Sequence, residues 1–317
     1  MAWPDILIIG AGVSGLTTAA HLAERGHSVH LIADREPRQT TSAVAGAIWG
    51  PYLVGDDECL SWAEATRPEL ERIAEEDKTS GVRMAAGLEL SVKADPPDWA
   101  RPTRNFRPCP EELRRFPSKY RSAWRYTVPL VDMPIYLDYL LKRNENAGVK
   151  LDLHHPRLRS LDEVRGMAEF VVNCTGLGAR DLVPDPDMYA IKGLLIEVKN
   201  PGIEEFFQED APGTDLTYIF PHKDHVLLGG HFAELCESEE PRRKVAAAIL
   251  KRCVEVEPKL REATQTGYRI GLRPARRPKP RVEFDAHDGS VIHNYGHGAA
   301  GLSLSWGCAQ KVGRLLT

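Results

Sequence analysis

Three observations in this 317-residue sequence predict an α/β fold, α+β overall. First, the apolar run Ile6–Ile9 leads straight into Gly10-Ala11-Gly12-Val13-Ser14-Gly15, then an Ala/Leu-rich helical stretch that stops at Gly26, then a second apolar run over 28–33. Second, the chain closes on glycine twice more: in Phe170-Val171-Val172-Asn173-Cys174-Thr175-Gly176 and in Tyr295-Gly296-His297-Gly298-Ala299-Ala300-Gly301. Third, β-patterned stretches fill the intervals. The simplest architecture is a Rossmann-type dinucleotide-binding domain assembled from 1–52, 141–190 and 271–317. A second, β-rich domain would come from 53–140 and 191–270.

The first stretch carries the chemistry of a βαβ phosphate site. Gly10 permits a tight turn, Gly12 lets backbone approach a pyrophosphate, and Gly15 lets helix and strand pack closely. The helix N-terminus presents N–H groups and a positive dipole end to the phosphates. Asp34 falls 19 residues after Gly15, where a carboxylate can accept bonds from ribose hydroxyls. A glycine turn in a cofactor-free unit is the blander reading, but strand, helix and acid at these spacings argue against it.

After Arg35, the hydroxyls of Thr40, Thr41 and Ser42 precede the small residues Ala43 to Ala47. They suit a loop passing a polar ligand, or the cap of a short helix. Residues 60–73 read as an amphipathic helix. Residues 96–117 contain six prolines with Trp99, Phe106 and Phe116 between them, which predicts irregular but packed structure. Residues 124–131 alternate like a strand, and Asp132-Met133-Pro134 opens a helix that Gly148 ends. Strands are expected over 149–153, 192–198, 217–228, 266–273 and 291–293, with helices over 238–257 and 302–316.

Bulk properties narrow the function. A composition 42% hydrophobic and 27% charged is that of a soluble globular protein, and a net charge of −4 gives no reason to expect a nucleic-acid partner. No apolar run approaches the ~20 residues of a membrane span. The first strand begins near Met1 and the final residues are no peroxisomal address, so a cytoplasmic location is expected. Cys59, Cys109, Cys174, Cys236, Cys253 and Cys308 include no CxxC pair. Mostly buried, reduced thiols and no metal site are therefore expected, with one disulfide left open.

The motifs GAGVSGLTTA, ADRE followed by TTSAVAGAIWGPY, VVNCTG, TYIFP, GLRPARRP and HNYGHGAAGLSLSWG span almost the whole chain. In that order they resemble the D-amino-acid oxidase family, which includes D-aspartate oxidase. GLRPARRP and HNYGHG are specific; GxGxxG and NCTG are shared more widely among flavoproteins. The resemblance implies an FAD-binding domain and a substrate domain. It implies hydride transfer from a D-amino acid to flavin N5 and reoxidation by O₂ to H₂O₂. The imino acid then hydrolyses to a 2-oxo acid and ammonia.

The resemblance also implies site residues. Arg273 matches the guanidinium that holds the substrate carboxylate with two parallel charge-assisted bonds. Tyr218 matches a pocket tyrosine that reaches the same group. Tyr52 matches a second one, and Phe232 sits where some members carry a tyrosine. The carbonyl of Ala299 matches the acceptor for the substrate amino group. Cofactor contacts are expected from Gly10, Gly12, Val13, Ser14, Gly15, Asp34, Arg35, Thr40, Thr41, Ser42, Gly46, Ala47, Ile48, Thr175, Gly176, Gly298, Ala299, Ala300, Gly301, Leu302 and Ser303. No catalytic acid or base is required, so His297 is read as a hydrogen-bonding loop residue and Arg276 and Arg277 as a solvated face.

Where animal members carry a lid tyrosine this chain has Thr214, within an expected lid at 208–215. Its Glu209, Asp210 and Asp215, with the acidic segment after Gly230, predict neutral and also basic D-amino acids rather than D-aspartate. A D-aspartate oxidase, a glycine or sarcosine oxidase, and a NAD-dependent dehydrogenase or cofactor-binding protein without catalysis are the rival readings. Homo-oligomerisation is left open.

Overall fold

The computed structural model describes residues 4–52, 56–232 and 239–317. In chain order its strands are β1 Ile6–Ile9, β2 Val29–Ile32, β3 Val82–Ser91, β4 Arg104–Pro108, β5 Ser122–Val131, β6 Lys150–Asp152, β7 Phe170–Asn173, β8 Met188–Lys199, β9 Phe206–Asp210, β10 Asp215–Pro221, β11 His225–His231, β12 Gln265–Arg276, β13 Arg281–Phe284 and β14 Val291–Tyr295. Its α-helices are α1 Val13–Ala23, α2 Asp57–Glu76, α3 Met133–Asn146, α4 Ala179–Leu182, α5 Glu239–Val256 and α6 Gly301–Leu315. No helix among the described residues is long and apolar enough to cross a membrane.

The chain forms two units. The first comprises Met1–Val82, Met133–Ala190 and Leu272–Thr317. Its sheet runs β13-β14-β7-β1-β2-β6. β1 lies parallel to β2 and to β7, with Ile9 opposite Ile32 on one side and Asn173 on the other. Strands buried on both faces read as unbroken apolar runs, and ILII with all four residues buried is such a run. Because β1 has its two parallel partners on opposite sides, the crevice beyond its carboxyl end is the topological switch point.

The unit boundaries differ from the expected ones. Residues 53–82 and 133–140 belong to the first unit. The backbone of α2 reaches α6, where the Gly307 N–H donates to Thr66 Oγ1 at 3.0 Å. Asn144 of α3 donates to the Leu16 carbonyl of α1 at 3.0 Å. A β-rich reading of 53–140 missed that α2 packs on α6 and α3 on α1, both helices of the first unit.

The second unit, Arg83–Asp132 and Ile191–Gly271, carries the sheet β12-β8-β11-β10-β9-β3-β5-β4. Its core includes Leu88, Leu194, Ile196, Ile219 and Leu228, covered by Ala246, Ile249 and Cys253 of α5. Residues 96–117 contain one element the proline count hid: β4 pairs with β5. The aromatics there are packed, Phe116 stacking on Phe207 with centroids 5.7 Å apart.

The expected lid at 208–215 is corrected for residues 208–210, whereas 211–214 form the connection to β10. Gln208 to Asp210 lie in β9, between β3 and β10. Glu209 is buried. It accepts from the Thr217 N–H at 2.6 Å, from the Tyr120 hydroxyl and from Lys119. Burial and that carboxylate push the Tyr120 hydroxyl far up. Gln208 donates to Glu89 and Tyr126 inside the same sheet. A polar stretch can be a central strand when every buried group finds a partner, and those partners lie up to 119 residues away. The acidic segment after Gly230 falls largely outside the described residues.

Candidate functional site

The three glycine motifs all fall in the first unit. At the end of β1, Gly10 adopts φ +111°, and a Cβ there would lie 2.6 Å from the Cys174 carbonyl oxygen. A Cβ on Gly15 would lie 1.9 Å from the Gly10 carbonyl oxygen. Only hydrogen fits at either place, so the turn seats directly on the end of β7 and α1 starts against it. Gly12 is the N-cap of α1, has no side chain to cap it, and no acidic residue follows in the first turn. That end is shaped and charged for an anion.

The segment after β2 folds over this turn. Thr41–Val44 is a 3₁₀ turn preceded by Thr40. Ser42 Oγ accepts from the Val13 N–H at 3.0 Å and sits 3.2 Å from where a Gly12 Cβ would be. Ala47 has φ 25°. Thr40, Ser42, Gly46, Ala47 and Ile48 remain half-buried. Asp34 and Arg35 form a two-point pair at 2.9 Å, and this bond holds the Asp34 carboxyl below its ordinary range. Asp34 therefore stays an acceptor at neutral pH.

Beyond β7, Asn173 Oδ1 accepts from the Thr175 N–H at 3.2 Å and from its hydroxyl at 2.7 Å, which fixes the turn into Gly176. Thr175 and Gly176 are half-buried. Cys174 is fully buried, and burial pushes its thiol up to about 12, so it is inert.

The last motif joins the first. Asn294 donates to Thr18 Oγ1 at 3.0 Å, and Ser14 Oγ donates to the Asn294 carbonyl at 3.2 Å. His297 bonds Asn294 Oδ1 through Nε2 at 3.0 Å. Burial pushes His297 down to about 4, so it is neutral at pH 7 and donates that bond. Gly298 and Ala299 follow in a 3₁₀ turn; Ala299 is exposed and Ala300 buried. Gly301 then opens α6, whose first turn carries no acid and no side-chain cap. Leu302 is buried, as is Ser303. The Ser303 hydroxyl is used on Gly50: it accepts from the Gly50 N–H at 3.1 Å and donates to its carbonyl at 3.0 Å. It thereby anchors the turn to Tyr52, whose ring lies where a Gly50 Cβ would be.

Arg273 lies on β12, half-buried. Two residues on, and so on the same strand face, Ala275 bridges to His297. Pro274 packs 3.7 Å from the Cβ position of Gly176. The arm of β12 that carries Arg273 thus joins both glycine turns. The solvated-face reading of Arg276 is corrected, while Arg277 is exposed. Arg276 Nε donates to the buried carboxylate of Asp185 at 2.7 Å, and the Tyr295 hydroxyl donates to the same carboxylate at 2.8 Å. The Arg277 guanidinium lies 4.8 Å from the Tyr189 ring centroid.

Tyr218 and Phe232 belong to the second unit. Tyr218 stacks on Phe220 with centroids 4.7 Å apart, and its ring covers the Gly229-Gly230 backbone. A Cβ on either glycine would lie within 2.6 Å of the Tyr218 hydroxyl oxygen. The Phe232 N–H donates to the Thr214 carbonyl at 2.9 Å. Asp215, one of the expected lid charges, pairs with His231 at 2.7 Å.

Sequence reasoning missed the residues that connect the motifs: Asn173, Asn294, Thr18 and Gly50. Two of these asparagines stand inside VVNCTG and HNYGHG, the positions where a buried amide between glycine turns is the available signal. The site fits FAD on the structure's own terms. Two glycine positions cannot hold a Cβ, two helix N-termini lack capping acids, and the half-exposed backbone of 175–176 and 298–299 lines the same unit.

Known proteins agree with this geometry. The family model described as FAD dependent oxidoreductase (DAO) matches residues 5–315. The chain is 41% identical over 314 residues to a D-amino-acid oxidase of Rubrobacter xylanophilus, covering 98% of this chain and 94% of the relative. It is 33% identical over 328 residues to the D-aspartate oxidase of Homo sapiens, covering 98% and 94%. Among solved structures, a glycine oxidase from Geobacillus kaustophilus superposes with TM-score 0.81 at 19% identity, over 99% of this chain and 94% of that one, a likeness of fold.

Proposed function

The chain belongs to the DAO family of FAD dependent oxidoreductases, and from that premise we propose that it oxidatively deaminates D-amino acids, neutral ones in preference to D-aspartate. The observation that carries the reading is 41% identity to a D-amino-acid oxidase over nearly the whole of both chains. Glu209 and Asp210 do not support neutral substrates, since Glu209 accepts from Tyr120 and Lys119 and Asp210 from Ser91 of β3. The expectation of neutral substrates draws on the higher identity to the D-amino-acid oxidase than to the D-aspartate oxidase, 41% against 33%.

FAD, once bound, would supply the two-electron acceptor for the substrate Cα–H bond, with O₂ as final acceptor and H₂O₂ as product. The protein's part is alignment. Arg273 holds the substrate carboxylate; a planar guanidinium fixes both its position and its rotation. The exposed Ala299 carbonyl accepts from the substrate amino group, and Tyr52 lines the pocket from its anchored turn. Tyr218 and Phe232 are assigned to substrate binding by the family motif. His297 is spent on Asn294 and transfers no proton. The imino acid product takes up water to give a 2-oxo acid and ammonia.

The test is the purified, FAD-loaded protein under anaerobic conditions. A D-amino acid should bleach its flavin absorption while the L-enantiomer leaves it unchanged. In air, H₂O₂ formation should be faster on D-alanine or D-valine than on D-aspartate. Fastest turnover on D-aspartate would assign the enzyme to the acidic substrate, and bleaching by glycine or sarcosine alone would move it to the amine oxidases.

A further inference from the structure

The second unit carries a cluster that the oxidase reaction does not use. β10 ends at Pro221 and β11 begins at His225, and the hairpin between them closes with the His222 N–H donating to the His225 carbonyl at 2.7 Å. The two imidazoles face each other with centroids 4.7 Å apart. Asp132, the residue after β5, completes the group: one ligand atom from each of Asp132, His222 and His225 lies within 4.8 Å of the others. We propose that these three side chains form a binding site for a borderline first-row divalent cation, Zn²⁺ being the type, that clamps the β10–β11 hairpin to the end of β5.

Four observations support the site. His222 is 6% exposed, and its buried Nε2 has no hydrogen-bond partner among the described residues. A buried imidazole nitrogen left so is costly, and a metal ion would satisfy it. Burial, then His225, Arg83 and Arg269, push His222 down to about 3, so it is neutral and offers a lone pair at pH 7. His225 Nε2 lies 3.1 Å from Arg269 Nη2. A guanidinium can only donate, so this nitrogen also presents its lone pair, 3.9 Å from Asp132 Oδ2. Finally, two imidazoles and one carboxylate are the donor set of a three-ligand zinc site with an open position for water. Mg²⁺ prefers oxygen donors.

Arg269 is the competitor, and the fold provides for its displacement. It keeps Glu197, which accepts from Nε at 3.0 Å and Nη2 at 2.8 Å, when the metal takes the His225 nitrogen. Arg83, donating to the Pro221 and Glu204 carbonyls, adds a second positive charge nearby, so binding is weaker than at an all-anionic site. The sequence signal is slight: His222 and His225 stand three apart, but the carboxylate is 90 residues away at Asp132.

The experiment uses the FAD-loaded enzyme, cleared of metal with a chelator and titrated with ZnCl₂ by calorimetry. Bound zinc is measured by atomic emission after gel filtration. The expected result is about one zinc per chain and a raised melting temperature. Replacement by His222→Gln or His225→Gln should weaken binding about tenfold or more, and MgCl₂ should not compete. The His225 variant keeps the readout should His222→Gln fail to fold. Wild-type enzyme that retains no zinc would overturn the proposal. So would zinc binding with unchanged affinity and stoichiometry in His225→Gln.

Discussion

Asn294 Nδ2 donates to Thr18 Oγ1 at 3.0 Å, a bond that ties the last glycine motif to the helix of the first across 276 residues. Asn294 also accepts from His297 and is fully buried. One amide therefore holds the α1 helix and the loop before α6 in one relative position, and any cofactor spanning both depends on it.

Asn294→Ala leaves Thr18 and His297 without that partner. The cost should be about 1–3 kcal/mol for the stranded buried groups, seen as a lower melting temperature. FAD retention after desalting, measured by flavin absorbance per chain, should fall with it.

Gly15→Ala places a Cβ 1.9 Å from the Gly10 carbonyl oxygen, and the contact is backbone on both sides. Neither a rotamer change nor a small shift relieves it. Colourless protein after purification is the expected outcome, read from the ratio of flavin to protein absorbance. Full occupancy would remove the turn from the cofactor site.

Arg273→Ala should lower kcat/KM for D-alanine by about 2–5 kcal/mol, because a desolvated carboxylate loses its charged partner. The loss should appear chiefly in KM. Tyr218→Phe should cost about 1.5–3 kcal/mol, one hydrogen bond to a charged carboxylate. Gly230→Ala is the sharper test of Tyr218. Its Cβ would lie 2.6 Å from the tyrosine hydroxyl, so it should displace the ring and raise KM at least as much as Tyr218→Phe.

Acid should destabilise the first unit before its carboxylates titrate. His21 and His297 are both buried, and burial pushes each from 6.5 to about 4. Between those values the unfolded chain binds more protons than the fold, so stability falls as pH drops from 6.5 toward 4 and is unaffected above 7. Each imidazole contributes on the order of 3 kcal/mol at the acid limit. A melting series from pH 8 to 4 checks this, and His297→Gln should flatten its slope.

The first unit was legible because its signals are local. ILII is buried on both sides and reads as an unbroken apolar run, Gly10 and Gly15 stand where a Cβ cannot, and Gly26 and Gly148 end helices at positive φ. The second unit was less legible because its strands are stabilised at long range. β9 looked like an acidic lid until Tyr120, Lys119 and the Thr217 amide closed on Glu209. α2 and α3 read correctly as helices, but amphipathic periodicity says which face is apolar and not which element it packs against.

The sequence by itself determined the family, the cofactor class and the residues proposed to meet substrate, since those rest on motifs whose backbone demands are met within a few residues. Only the tertiary structure decided which side chains are already spoken for. Ser303 is held by Gly50, Arg276 by Asp185 and Glu209 by Tyr120, and His222, His225 and Asp132 meet at a hairpin. Hydrogen bonds and ion pairs between distant segments form only once the sheets bring them within about 3 Å, and no spacing along the chain encodes that distance.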